Sequence, residues 1–156
     1  MIISDSTALI TLINIDEFKI LEIFSKNIIL TQEVYDEITK KAFAKNFIDK
    51  KIAEGFLKVE SYHDKDIFRE LNIVLDKGEA SSITLALQKD LPLIIDEKKG
   101  RKIAKLQGLK VIGLVGVLRF LYLENTLPKE KIKEISKKLK DSDFRISPKL
   151  LAMILA

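Results

Sequence analysis

Four carboxylates occupy positions from which they could share one site. Asp5 lies just past the short apolar run Met1-Ile2-Ile3, and Asp96 directly follows Leu93-Ile94-Ile95. Glu37 sits within Val34-Tyr35-Asp36-Glu37-Ile38, and Glu79 within Asp76-Lys77-Gly78-Glu79-Ala80. Carboxylates brought close together repel one another, and a hard divalent cation with oxygen ligands relieves that repulsion. The chemistry that suits such a cluster is phosphodiester hydrolysis. Mg²⁺ or Mn²⁺ held by a few carboxylates and waters polarises the phosphate and lowers the pKa of an attacking water. Each acid also has a plainer reading. Asp5 and Asp96 stand just ahead of helical segments, where an aspartate caps free N–H groups. Asp76 and Glu79 have the spacing of a capping box. Glu37 could face solvent beside Asp36.

The remaining composition narrows the choice. The 156 residues include no Cys and one His, His63. This excludes a thiol nucleophile, a disulfide framework, cysteine-ligated zinc and iron–sulfur clusters. Ser-His-Asp chemistry and multi-His metal sites lack their parts as well, and His63, in Tyr62-His63-Asp64, is given no role. Apolar residues make up 47% and charged residues 32%, which is globular composition. The length suits a single domain over residues 1–156 with a core of its own. Lys and Arg total 27 against 23 Asp and Glu, a net charge of +4 that permits an anionic partner without demanding one. The longest apolar stretch, Val111 to Leu118, stops at Arg119, short of the ~20 residues a membrane span needs. Ser4 and Asp5 interrupt the apolar start and no basic segment precedes it, so a cytoplasmic protein without a membrane partner is expected.

The elements that must position the acids can be read from the pattern. Five short apolar runs read as strands: Met1-Ile2-Ile3, Asn27-Ile28-Ile29-Leu30, Phe56-Leu57-Lys58-Val59, Leu91-Pro92-Leu93-Ile94-Ile95 and Lys110-Val111-Ile112. Near-continuous apolar strands fit a parallel sheet covered on both faces. Helical patterns lie between and after them. Glu33 to Ala53 reads as two helices, followed by Lys77 to Lys89, Glu97 to Leu106, Leu114 to Glu124, Lys129 to Leu139 and a short Lys149 to Leu155 opened by Pro148. The alternation predicts an α/β fold, a three-layer α/β/α sandwich on a mainly parallel sheet of about five strands. In such sheets, sites form beyond the carboxyl ends of the strands where the strand order reverses.

In order and spacing, these pieces resemble the PIN-domain family, and within it short prokaryotic proteins similar to the toxin ribonucleases of toxin–antitoxin modules. The resemblance is carried by Ile2-Ile3-Ser4-Asp5-Ser6-Thr7, by Thr31-Gln32-Glu33-Val34-Tyr35-Asp36-Glu37-Ile38 and by Leu75-Asp76-Lys77-Gly78-Glu79-Ala80. It continues through Leu93-Ile94-Ile95-Asp96-Glu97 with Gly100-Arg101, Gly108 to Leu114, and the tail Phe144-Arg145-Ile146-Ser147. It implies a metal-dependent endoribonuclease with an RNA substrate, an Mg²⁺ or Mn²⁺ cofactor and an antitoxin partner. By position, the family's catalytic acids fall on Asp5, Glu37, Glu79 and Asp96, with Asp36 an alternative register for Glu37. Asp5, Glu79 and Asp96 would be the metal ligands, and Ser6 or Thr7 falls where the family often has a supporting hydroxyl. Glu79 departs from the more usual Asp, which leaves a second reading open: a noncatalytic PIN-like domain that binds RNA or protein.

Two other α/β families with acids at strand ends fit less well. A haloacid-dehalogenase-like phosphatase wants a second acid two residues after the first, but Ser6 and Thr7 follow Asp5. A receiver domain wants an acidic pair before a central phospho-acceptor Asp and a late Lys-Pro, and neither pattern is present. For the substrate, Lys98 to Lys110 carries six cations and no acid. Arg101 and Lys102, just behind Asp96, are the expected phosphate contacts, with a solvated helix face as the plain alternative. Lys129 to Lys140 has Glu130 and Glu134 interleaved and reads as a solvated helix. The apolar tail Leu150 to Ala156 reads either as a core helix or as a surface for a second copy or an antitoxin.

Overall fold

Five apolar runs, each too short for a helix, pair edge to edge. The computed structural model describes residues 1–156. Its strands are β1 (Ile2–Ser4), β2 (Ile28–Leu30), β3 (Leu57–Val59), β4 (Leu93–Ile94) and β5 (Val111–Ile112). They form one sheet in the order β3-β2-β1-β4-β5, parallel throughout. Ile3 pairs with both Ile29 and Leu93, which fixes β1 at the centre.

Ten helices cover the sheet: α1 (Ser6–Asn14), α2 (Lys19–Phe24), α3 (Gln32–Ile38), α4 (Ala42–Ala53), α5 (Lys65–Val74), α6 (Lys77–Lys89), α7 (Lys98–Leu106), α8 (Leu114–Leu123), α9 (Lys129–Lys140) and α10 (Pro148–Ile154). Side chains alternate across a strand, and the two cores follow that alternation. Ile2, Ile28, Leu30, Leu57 and Ile94 face a core filled by residues of α1 to α4 and α8 to α10. Ile3, Ile29, Leu93 and Ile95 face a smaller core filled by α5, α6 and α7. The result is the expected three-layer α/β/α sandwich.

Two helices go beyond the sequence reading. The apolar hexamer of α2, Lys19-Ile20-Leu21-Glu22-Ile23-Phe24, has no period that separates helix from strand. In α5 the charged residues are mixed with five apolar ones, of which Ile67, Phe68 and Leu71 turn inward while Ile73 and Val74 stay exposed, and Asp64 caps the helix by accepting a hydrogen bond from Ile67 N at 3.0 Å. The tail packs in part as a core helix. Ile154 is fully buried in the larger core, while Leu150 and Met153 stay 43% and 48% exposed. Arg119 of α8 closes the end of α10, donating to the carbonyls of Met153 and Ala156 at 2.6 Å each. Farther back, buried Glu17 receives Lys131 at 3.0 Å and Lys138 at 3.2 Å, tying α9 to the α1–α2 turn. No helix is long and apolar enough to cross a membrane.

Ile3 is fully buried at the centre of the sheet. Ile3→Ala should lower unfolding free energy in urea by about 2–5 kcal/mol. Met1→Ala, at a side chain 62% exposed, should change it by less than about 0.5 kcal/mol.

Candidate active site

From β1 the chain crosses to β2 and β3 on one side, then returns to place β4 and β5 on the other. Opposite directions of travel put the crossover helices on opposite faces, which leaves a crevice beyond the ends of β1 and β4. Asp5 is the first residue after β1, and Asp96 the second after β4. The two strand ends are stitched by Asp5 N donating to Ile94 O at 2.9 Å.

Asp5 occupies the cap position of α1 with extended backbone, yet its side chain makes no capping hydrogen bond. The carboxylate instead turns toward α3 and α6. Those helices are held together by a hydroxyl link: Thr31 and Ser81, both fully buried, lie 2.8 Å apart. Ser81 donates its one proton to Gly78 O at 3.0 Å, so Thr31 donates to Ser81. The link joins the amino-terminal cap of α3 to the second turn of α6, and farther along the same pair Glu37 in the last turn of α3 comes close to Gly78 in the first turn of α6. A Cβ at Gly78 would lie 3.0 Å from Glu37 Oε2, 3.2 Å from Asp5 Oδ1 and 3.5 Å from Asp76 Oδ1. Three carboxylates thus face one small volume that only a glycine leaves open.

Glu79 follows on α6. Asp76 caps that helix, accepting from Glu79 N at 2.8 Å. The Glu79 carboxyl reaches toward α7, where a Cβ on Gly100 would meet Oε2 at 2.7 Å. Asp96 does not cap α7 as expected. Glu97 does so, accepting from Gly100 N at 2.8 Å. Asp96 Oδ1 instead accepts from Leu114 N at 3.0 Å, at the amino end of α8. That contact joins residues far apart in the chain, so no local capping pattern announces it.

Burial governs the electrostatics. It raises the Asp5 carboxyl to about 7; the Ser6 N–H pulls the other way, while Asp76, Glu37 and Asp96 add repulsion. Burial also raises Glu79, to about 9, helped by hydrogen bonding to Asp76 and by the charges of Asp76, Asp5 and Glu97. Asp96 is raised by burial, against the Leu114 N–H and the Arg101 charge. Four buried side-chain polar atoms in the protein lack a hydrogen-bond partner, and three belong to these acids: Asp5 Oδ1, Glu79 Oε2 and Asp96 Oδ2. Unpartnered buried carboxylate oxygens are costly, and a hard cation is the ligand their chemistry fits. As placed, no three acidic side chains converge tightly enough to hold an ion, so binding would have to draw the ligand set inward.

The other expected residues are distributed differently. Ser6 is buried at the start of α1 beside Asp5. Arg101 turns inward and donates to Ile95 O at 3.0 Å, beside Asp96. Lys102 is exposed on α7 and lines neither of the two main clefts. Asp36 accepts from Gln32 at 2.8 Å on the exposed side of α3. Asp76 joins the acids although its spacing to Glu79 signalled only a cap. The acids lie between two clefts. One of about 1330 Å³ opens at Asp96 and runs along α1, and one of about 480 Å³ is lined by Glu37, Asp76 and Gly78.

The raised carboxyls set a pH dependence with a definite sign. A carboxyl whose folded pKa exceeds its unfolded one contributes fully to stability below the unfolded value, and that contribution drains away as pH climbs to the folded value. The window runs from 3.8 to about 7 for Asp5 and from 4.5 to about 9 for Glu79. In metal-free buffer the melting temperature should fall as pH rises through it. Asp5→Asn should flatten the lower part of the fall and melt higher than the wild type at its upper end. Identical pH profiles for the two proteins in thermal melts would contradict a buried, repelled Asp5.

Among curated proteins none matches the chain. A family model described as a PIN domain matches it over residues 1–156. With the match running over the whole sequence, the chain belongs to the PIN-domain family.

Proposed function

We propose that the protein is a metal-dependent endoribonuclease, the toxin of a toxin–antitoxin module. PIN domains are typically nucleases that use divalent metals, which sets the general class. The observation that carries the finer reading is the set of three buried, unpartnered carboxylate oxygens at the reversal point of the sheet. Asp5, Glu79 and Asp96 would hold Mg²⁺ or Mn²⁺, which supplies charge neutralisation and an acidified water.

The chain's own residues do the rest. Asp96 is kept in place by the Leu114 N–H and the adjacent Arg101. Glu37, across Gly78 from Asp5, would accept the proton of the attacking water. Hydrolysis forms one phosphorus–oxygen bond from that water, breaks the bond to the leaving ribose oxygen, and returns a proton to that oxygen. Gly78 and Gly100 keep backbone close to the acids without filling the space between them.

One observation favours a second reading, a noncatalytic domain that binds RNA or protein. The acids do not form a closed ligand set as placed, and Glu79 carries one methylene more than the family's usual aspartate.

Metal titration separates the two. Mg²⁺ or Mn²⁺ should raise the melting temperature of the wild type by mass action, and Asp5→Asn should lose most of that gain. Cleavage of a labelled single-stranded RNA should require the metal and fall by about 10²–10⁴ in Asp5→Asn or Glu37→Gln. An equal metal response in wild type and Asp5→Asn, with RNA bound but uncut, would establish the noncatalytic reading. The toxin assignment predicts that expressing the chain arrests growth and that Asp5→Asn relieves the arrest.

A further inference from the structure

The larger cleft starts at Asp96 and runs away from the acids along α1. Its floor is one flank of that helix, where Thr7, Thr11 and Asn14 recur at helical spacing and present hydrogen-bonding groups. Its far wall is the connection between α9 and α10, which holds the Phe144-Arg145 pair. Three cations reach this cleft from separate parts of the chain: Lys41 ahead of α4, Lys98 in the first turn of α7, and Arg145 on the far wall. None of the three has a carboxylate within ion-pair distance. A fourth, Lys138, is committed to Glu17 at 3.2 Å.

Asp141 and Asp143 share the wall, and Glu97 is occupied capping α7. The cleft is therefore not a broad positive field but a polar trough with discrete unpaired cations. Its volume of about 1330 Å³ exceeds the roughly 300–1,000 Å³ of a small-molecule pocket. That size suits several linked nucleotides rather than one. The cleft on the other side of the acids differs in kind. It is about 480 Å³, has no apolar lining, and carries Glu33, Asp36, Glu37 and Asp76 against Lys40 and Lys77. Phosphates are disfavoured there.

We infer that a single RNA strand reaches the acids from one side only, lying along α1 with its phosphates on Lys41, Lys98 and Arg145. This inference rests on the nuclease reading and gives it a direction. Thr7, Thr11 and Asn14 lie beneath the strand, where hydroxyl and amide groups can meet ribose 2′-OH groups and base edges. Arg101 and Lys102 are not phosphate contacts in this arrangement. The first turns inward to Ile95 O, and the second lies outside the cleft.

The test is binding of a short fluorescein-labelled single-stranded RNA by the full chain in EDTA, followed by anisotropy across a salt series. The double variant Lys98→Glu with Arg145→Glu should bind about tenfold more weakly or worse, and lose about 1.4 from the salt slope, roughly 0.7 for each lost phosphate contact. Lys98→Ala with Arg145→Ala should move both readings the same way by less. Lys40→Glu with Lys77→Glu, on the smaller cleft, should leave affinity and slope as in the wild type. Thermal melts of each variant check folding, and the alanine pair decides the matter if the charge reversal unfolds the chain. If both clefts' variants weaken binding alike, or the Lys98 and Arg145 variants bind as the wild type does, the one-sided path is overturned. In that event the nuclease reading stands so long as the wild type still cuts RNA with metal. A wild type that neither binds RNA at low salt nor cuts it overturns both.

Discussion

A cluster of buried carboxyl groups at the reversal point of the sheet is the constraint around which the rest of the molecule is arranged. Asp5, Glu79 and Asp96 each leave an oxygen without a donor, although the backbone around them is hydrogen-bonded. Such an arrangement is unstable by itself and persists only where the surrounding packing over-determines it. Here two cores of 24 and 12 buried residues grip opposite faces of the sheet. They hold the ends of β1 and β4 in register, so the acids cannot separate to relieve their repulsion.

The hydroxyl link between Thr31 and Ser81 is the most economical part of this support. It joins the two helices that carry Glu37 and Glu79. A neutral hydroxyl pair fixes the spacing of α3 and α6 without altering the local potential. Glycines at 78 and 100 do the complementary work. They let neighbouring carboxylates approach closely: a Cβ at residue 100 would overlap the Glu79 oxygen, and one at residue 78 would crowd those of Glu37 and Asp5.

Much of the fold was legible because its signals are local. Strands built from Ile and Leu runs, and helices such as α6 and α10 with Asp76 and Ser147 at their caps, declare themselves within a few residues. The family resemblance supplied the order of the acids, and the match over residues 1–156 agrees with it. What the sequence hid depends on contacts between distant residues. Asp96 reads as a cap for α7 because a helix follows it, but its oxygen accepts the Leu114 N–H from beyond the end of the neighbouring strand β5. Arg101 carries a second such hidden contact, one guanidinium nitrogen donating to the Ile95 carbonyl. The helix α5 is harder to read because two of its five apolar residues, Ile73 and Val74, face solvent and blur the stripe formed by Ile67, Phe68 and Leu71.

The central position of β1 also affects how the molecule is born. Ile3 pairs with Ile29 early in the chain but with Leu93 only much later. Synthesis proceeds at roughly 5–20 residues per second, so the first strand emerges well before its second neighbour exists. Until β4 arrives, one edge of β1 is unpaired and Asp5 has no Asp96 opposite it. Pairings of such long sequence separation are slow to form. The acidic crevice is therefore among the last features to assemble, and a partly made chain lacks it.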